Sequence, residues 1–335
     1  MGLIVLDPGM LTTVQDQGRL GYQSLGFTVS GAMDRRAARI ANLLVGNTER
    51  EALLECSLVG ATLEFTSDCV IAITGAKFQP ELNGEPIDRY RAIEVKPRDV
   101  LSCGSFEIGM FGYIAFSGGL DLPEVMGSRS TTVKTGIGGL HGRALKKGDS
   151  IAFMDVYRGQ RELIARHLPV ENPSEDETVK IRVVSGPQAD DFTKEGISTF
   201  YNVAYEITDE VNRMGYRLDG PAVEHKTGAD IISDGIPLGA IQIVADGTPI
   251  VMLADRQTTG GYTKIATILS VDIPKFVQLA PGKIVKFEAV DVDTANQIYT
   301  NEENEFSEIE KTLYSQSRQS GGIRYTAERI EKLLF

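Results

Sequence analysis

Three polar segments carry residue types that suit chemistry on a small carbonyl compound. Asp255-Arg256-Gln257-Thr258-Thr259-Gly260-Gly261-Tyr262 lies directly between the apolar runs Ile250 to Leu253 and Lys264 to Val271. A planar guanidinium fork, a Gln amide, two hydroxyls and two glycines suit a planar carboxylate, amide or carbamate with two in-plane oxygens. Such a loop orients and polarises, because it holds no strong nucleophile. The second segment, Ile232-Ser233-Asp234-Gly235, reads by itself as a hairpin signal. The third runs from Gln15, Asp16 and Arg19 to Ser30-Gly31-Ala32-Met33-Asp34, with glycines that let backbone N–H groups approach a ligand. Arg129, in Gly127-Ser128-Arg129-Ser130, is a weaker counterpart of Arg256. Asp255, Asp234 and Arg256 are the candidate catalytic groups, with either carboxylate expected to fix Arg256 or a proton.

Short β-rich runs must position these segments. Ala61 to Phe65, Val70 to Thr74, Gly112 to Phe116, Val179 to Val184, Ile250 to Leu253 and Ile284 to Phe287 are separated by Gly, Pro, Asn or Asp, as a mainly β chain requires. One helix is predicted from an N-cap at Asp34, with Ala37, Ile40, Ala41 and Leu44 on one face and Gly46 ending it. A second is expected between Asp191 and Asn202. The polar stretch Glu171 to Glu177 reads as a linker, which gives halves at 1–165 and 178–292. From 293 to 335 an acidic helical tail is expected, broken at Gly321-Gly322. Arg19-Leu20-Gly21-Tyr22 echoes Arg213-Met214-Gly215-Tyr216, which adds Arg213 and Tyr216 to the site candidates and predicts two related halves with a cleft between them.

Composition removes other classes. With 34 Lys+Arg against 46 Asp+Glu, the chain has no basic run for displacing counterions from nucleic acid. Cys56, Cys69 and Cys103 form no CxxC pair, and His141, His167 and His225 lack ligand spacing, so neither disulfides nor a metal are expected. The N-terminal apolar run is too short for a signal peptide and no membrane span is present, so a cytoplasmic chain is expected. No Walker A loop, HExxH, GxSxG or GxGxxG occurs in its required setting. The 35 glycines divide between these polar segments and ordinary turns such as those at Gly84, Gly148 and Gly282.

The ordered string Thr13-Val14-Gln15-Asp16, Gly18-Arg19, Gly21-Tyr22, Ser30 to Asp34, Ala41-Asn42, Gly127 to Thr131, Arg213 to Leu218, Ser233-Asp234-Gly235 and Asp255 to Tyr262 resembles the biotin-dependent carboxyltransferase family over about residues 3–290. The resemblance implies two cyclophilin-like β-barrel domains in one chain, with few helices. It also implies membership of an ATP-dependent 5-oxoprolinase complex that hydrolyses 5-oxo-L-proline to L-glutamate. The partners implied are a second cyclophilin-like subunit, the B-type component of 5-oxoprolinase, and an A-type protein. Opening a lactam at neutral pH needs an activated carbonyl, which ATP supplies by phosphorylating the amide oxygen. Without a phosphate loop here, ATP is expected on the complex rather than on this chain. Two alternatives follow from the same resemblance. One is a carboxyltransferase with a urea-like acceptor, as in urea amidolyases, for which a partner must carry biotin because no carrier lysine motif is present. The other is a regulatory module that binds a kinase-inhibitor protein.

Overall fold

A computed structural model describes the backbone of residues 2–154 and 160–334 and the side chains of residues 2–154 and 162–318. The predicted boundary region between Phe153 and Val179 includes residues 155–159, which lie outside the described residues. In chain order the first part comprises β1 (Gly2–Asp7), β2 (Leu11–Gln15), α1 (Arg35–Leu44), β3 (Leu53–Ser57), β4 (Thr62–Phe65) and β5 (Cys69–Lys77). It continues with β6 (Glu81–Leu82), β7 (Glu85–Pro86), β8 (Ala92–Val95), β9 (Val100–Ser102), β10 (Ile108–Phe116) and β11 (Ser150–Ala152). After α2 (Gln160–Leu163) come β12 (Thr178–Ser185), α3 (Lys194–Asn202), β13 (Tyr205–Asn212), β14 (Gly215–Asp219), β15 (Asp230–Gly235) and β16 (Ala240–Ile243). The chain ends with β17 (Pro249–Met252), β18 (Thr259–Ile268), α4 (Ile273–Val277), β19 (Ile284–Ala289) and α5 (Val292–Leu334).

The chain is mainly β with few helices. Its first part forms a six-stranded sheet, β11-β1-β4-β9-β6-β7, and a five-stranded sheet, β2-β3-β10-β5-β8. Strand alternation decides how they pack. In β5, Ile71 and Ile73 join the cluster shared with Leu3, Val5, Leu63 and Phe65 of the other sheet. Val70 and Ala72 point the opposite way and join the cluster containing α1. That second cluster continues without interruption into the interior of the later strands, through Ile181, Tyr216, Leu218, Ile265 and Phe276. The later sheet runs β12-β19-β13-β14-β17-β16-β18-β15, and β12 also pairs with β18. One continuous apolar core therefore spans the junction between the two groups of strands.

α1 forms where the sequence places it. The Asp34 carboxylate accepts from Ala37 N at 2.9 Å, and Ile40, Ala41 and Leu44 are fully buried. Burying Ile40 and Leu44 contributes about 2 kcal/mol each. Gly46, at φ 78°, turns the chain away after Val45. α3 is capped by Thr193, whose hydroxyl accepts from Gly196 N at 2.9 Å. α5 runs on through Gly321 and Gly322, where the sequence predicts a break. It docks on α1 through Phe306, whose ring centroid lies 3.5 Å from Arg39 Cζ, and through ion pairs from Glu302, Glu303 and Glu305 to Arg36 and Arg39. No described helix is long and apolar enough to cross a membrane.

Candidate functional site

A buried polar network fills the junction. Glu55 on β3 sits among apolar neighbours with 3% exposure, so its charge requires partners. It accepts from Met33 N and Tyr113 Oη, each at 2.8 Å, and pairs with Arg213 from the turn between β13 and β14. Arg213 also grips Asp255 with two nitrogens, at 3.0 and 3.1 Å, and donates to the Gly31 carbonyl at 2.6 Å. Ser30, held at φ 57°, places its hydroxyl 2.7 Å from Asp255 Oδ1. Burial would lower Arg213, but Glu55 and Asp255 outweigh it and hold the guanidinium above its ordinary value. Burial pushes Glu55 upward against the pull of Arg213. The network therefore ties residues 30–55 to residues 213–255 by charge, inside a water-poor region.

Asp34 extends this network to α4. Its second oxygen accepts from Gln278 Nε2 at 2.8 Å, while Gln278 Oε1 accepts from Met110 N and Phe111 N. Burial raises the Asp34 pKa to about 6, against the hydrogen bonds from Ala37 N and Gln278.

Beside the network lie guanidinium groups without carboxylate partners. Among the described residues Arg256 donates to the carbonyls of Ile236 and Leu253, and burial together with neighbouring Arg35 lowers its pKa to about 10. Arg35, the first residue of α1, makes no hydrogen bond or ion pair among the described residues, and its Nε is buried without a partner. It lines a cavity of about 300 Å³ walled by Gln17, Leu20 and Arg50 and by Tyr299 and Glu302 of α5. Unpaired, poorly hydrated cations of this kind favour an anion nearby.

Other predicted site residues make most of their hydrogen bonds to the protein, although Gln15 Oε1 and Arg19 Nε are buried without a partner among the described residues. Asp16 accepts from Gly18 N, Ser128 Oγ, Arg129 N and Ser130 Oγ. Gln15 is fully buried and donates to the Thr131 carbonyl. Arg19 is caged by the Ser130 carbonyl and Thr132 Oγ1, and burial lowers it. Arg129 pairs with Glu51 and Glu124. Tyr216 is a core residue whose hydroxyl donates to the Val277 carbonyl. The two members of the sequence echo differ in setting, since Arg19 follows β2 with Gly21 at φ 91° whereas Gly215 opens β14.

The segment 255–262 departs from a simple polar loop. Thr259 to Tyr262 already belong to β18 and pair with β15, with Asp234 opposite Gly260. Gln257 and Thr259 are exposed, Thr258 is half-buried with its carbonyl accepting from Ile236 N, and Tyr262 is partly exposed. The expected pairing of Arg256 with Asp255 or Asp234 is not what forms. Asp255 turns to Arg213 and Ser30, and Asp234 lies 3.2 Å from Lys264 Nζ. Leu253 to Arg256 form a turn closed by Arg256 N donating to the Leu253 carbonyl at 3.1 Å, and the two side chains leave it toward different partners, Asp255 to Arg213 and Arg256 to the Ile236 carbonyl. Sequence reasoning missed Glu55, Arg35, Gln278, Gln242 and Lys264. A signal was present for Glu55 and Lys264, each an ionisable residue inside an apolar strand run.

Of the histidines, His141 and His167 are exposed, while His225 packs against Phe192 with ring centroids 4.7 Å apart and planes tilted by 34°, and meets Thr263 Oγ1 at 3.0 Å. All three cysteines are free and buried. The glycine-rich stretch 138–139 is no phosphate cradle. A Cβ at Gly138 would stand 2.2 Å from an Arg19 guanidinium nitrogen and 2.0 Å from the Ser130 carbonyl, so this backbone is packed against protein rather than open to a ligand. The α1 N-terminus is likewise closed by Asp34. These residues do not fit a bound triphosphate.

Comparison with known proteins agrees with this architecture. Residues 25–289 match the family model described as carboxyltransferase domain, subdomain A and B. The C-type 5-oxoprolinase subunit of Escherichia coli K12 is 34% identical over 316 residues, which span 94% of this chain and 100% of that protein. The Haemophilus influenzae protein of the same name is 32% identical, over 89% of this chain and 96% of its own length. The crystal structure of Kluyveromyces lactis urea carboxylase superposes with a TM-score of 0.84 at 32% identity, over 92% of this chain but 29% of that one. The chain belongs to the carboxyltransferase domain family.

Proposed function

We propose that this chain is the C-type subunit of a 5-oxoprolinase complex, which hydrolyses 5-oxo-L-proline to L-glutamate with ATP. The observation that carries this reading is the correspondence over the whole length of the C-type 5-oxoprolinase subunit of Escherichia coli. The electrostatics support it. A chain of net charge −12 repels an anionic substrate, yet Arg35 and Arg256 concentrate unpaired positive charge beside the junction. In this reading the halves 1–165 and 178–292 are cyclophilin-like barrels and 293–335 is an appended tail. Asp234, Arg256, Gln257, Thr258, Thr259, Gly260, Gly261 and Tyr262 border the substrate, and the junction network sets the angle between the halves. ATP belongs to the partner subunits of types A and B, and no step on this chain runs through it.

The test is reconstitution. Purified chain alone should give no 5-oxo-L-proline-dependent glutamate, whereas the chain mixed with its two partner subunits and ATP should. Equal rates with and without partners would overturn the shared-site reading. Likeness to urea carboxylase favours a second reading, carboxyl transfer to a urea-like acceptor. Carboxybiotin-dependent product with no glutamate formation would select it instead.

A further inference from the structure

Two buried side-chain nitrogens in the later sheet are direct cross-strand neighbours with hydrogen-bonding capacity left over among the described residues. Lys264 on β18 has no exposure and Gln242 on β16 has 5%, and the two residues stand opposite each other in the ladder. Opposed residues share one face of a sheet. A register shift beside this pair, where Ile241 opposes Ala266 and Gln242 opposes Lys264, leaves Ile265 as one extra residue on β18. Bulges of this kind re-aim side chains. Gln242 Nε2 finds no acceptor among the described residues, and Lys264 Nζ, an ammonium with three donors, meets only one carboxylate, that of Asp234, outside good hydrogen-bond alignment. Leaving such donors unsatisfied costs free energy, which an incoming acceptor would recover.

The third member is Asp234. Its carboxylate lies 3.2 Å from Lys264 Nζ, receives Gln188 Nε2 at 3.5 Å, and remains half exposed at 54%. It sits on β15, an exposed strand whose pairing with β18 skips between Asp230 and Asp234. Beneath it β18 carries two glycines. A Cβ at Gly260 would press to 2.9 Å from Gln242 Nε2 and 2.7 Å from Ile236 Cδ1, so only glycine leaves the amide in place. The same point on Gly261 meets Ile231 O at 3.4 Å and Ser233 Oγ at 3.9 Å, which are ordinary contact distances.

We propose that Lys264, Gln242 and Asp234 form a recognition site for the N–H/C=O edge of a lactam. Two donors, an ammonium and an amide N–H, face the lone pairs of one carbonyl oxygen. The neighbouring carboxylate takes the ring N–H on the same side of the molecule. This pattern distinguishes a cis amide from a carboxylate, which has no N–H for Asp234, and from a tertiary amide. The inference rests on the proposed 5-oxoprolinase reading for its ligand, and it assigns that ligand's amide edge to three particular side chains.

The test is direct binding to the purified chain, measured by calorimetry with 5-oxo-L-proline and with its N-methyl derivative. The N-methyl compound should bind at least roughly tenfold more weakly, since the Asp234 bond is lost and the carboxylate faces a methyl group. Lys264→Met and Gln242→Met should each weaken 5-oxo-L-proline by roughly tenfold, and Asp234→Ala should abolish the difference between the two ligands. Equal affinity of the wild-type chain for both ligands would overturn the proposal without any variant being made. No binding of 5-oxo-L-proline, or unchanged affinity in folded Lys264→Met, would do so too. Binding with N–H discrimination, but no turnover in the reconstituted complex, would sink the functional reading and leave the pocket standing.

Discussion

Replacing Arg213 with Met removes the cation that joins the two groups of strands while keeping most of its volume. Arg213 makes five hydrogen bonds, to Glu55, to both oxygens of Asp255, to Ser30 Oγ and to the Gly31 carbonyl. Its loss leaves Glu55, at 3% exposure, and Asp255, at 9%, without their direct ion-pair partner. Removing one partner of a buried pair costs about 3–5 kcal/mol, because the orphaned charge keeps its desolvation penalty. That is a large share of a typical total of about 5–15 kcal/mol. The chain has no Trp, so urea unfolding is best followed by far-UV circular dichroism and tyrosine fluorescence, with Tyr113 reporting on Glu55 directly. The loss must also depend on pH. With Arg213 absent, its pull no longer offsets the burial that already raises Glu55 above its ordinary value, so stability returns as pH falls and the folded state takes up a proton first. The deficit of Arg213→Met relative to wild type should be greatest near pH 8 and shrink toward pH 5. Adding Glu55→Gln should restore part of it at pH 8. A deficit below about 1 kcal/mol at pH 8, or one that does not change with pH, would refute the argument that this network carries uncompensated buried charge when broken.

Asp34 is itself destabilised as an anion, with a folded pKa of about 6 against 3.8. Its stabilising contribution is therefore present below pH 3.8 and lost as pH rises through about 6, a swing of up to about 3 kcal/mol at ~1.36 kcal/mol per unit. Asp34→Asn should flatten the stability profile between those limits, and an unchanged slope would exclude Asp34 as its source. Arg35→Ala should raise KM of the reconstituted complex roughly tenfold with kcat and Tm little changed, because its guanidinium makes no hydrogen bond or ion pair among the described residues. A fall in Tm, or an unchanged KM, would remove Arg35 from substrate attraction. Phe306→Ala takes away the ring under Arg39, worth about 3 kcal/mol, and should speed amide exchange in 292–318 by roughly a hundredfold while the sheets keep their protection. Equal acceleration throughout the chain would show that α5 is an integral part of the core.

The strands and α1 were legible because their signals are local. Alternation in Val70-Ile71-Ala72-Ile73 assigns two faces, and both faces found a core. An Asp N-cap followed by Ala37, Ile40, Ala41 and Leu44 fixes a helix wherever it lies in the fold. The chemistry was less legible because it depends on register between strands far apart in sequence. Arg213 and Asp255 were both picked out, but nothing local shows that Arg213 reaches back to Glu55, which is 158 positions away. The polar loops also carry structural bonds that the sequence does not show. Asp16 and Arg129 satisfy turns and neighbouring backbone, and a loop rich in hydroxyls and carboxylates has many partners of its own. Buried strands contain few such partners. Glu55 in Leu53-Leu54-Glu55-Cys56 and Lys264 in Thr263-Lys264-Ile265-Ala266 place an ionisable group where desolvation is costly, so each demands a counter-charge or a ligand. For Glu55 the protein supplies that answer through Arg213. For Lys264 it supplies only a half-exposed Asp234 and an unpartnered Gln242. An ionisable residue within an apolar strand thus carries a physical demand that a polar loop does not, and what distinguishes Lys264 from Glu55 is that its demand is only partly met within the protein.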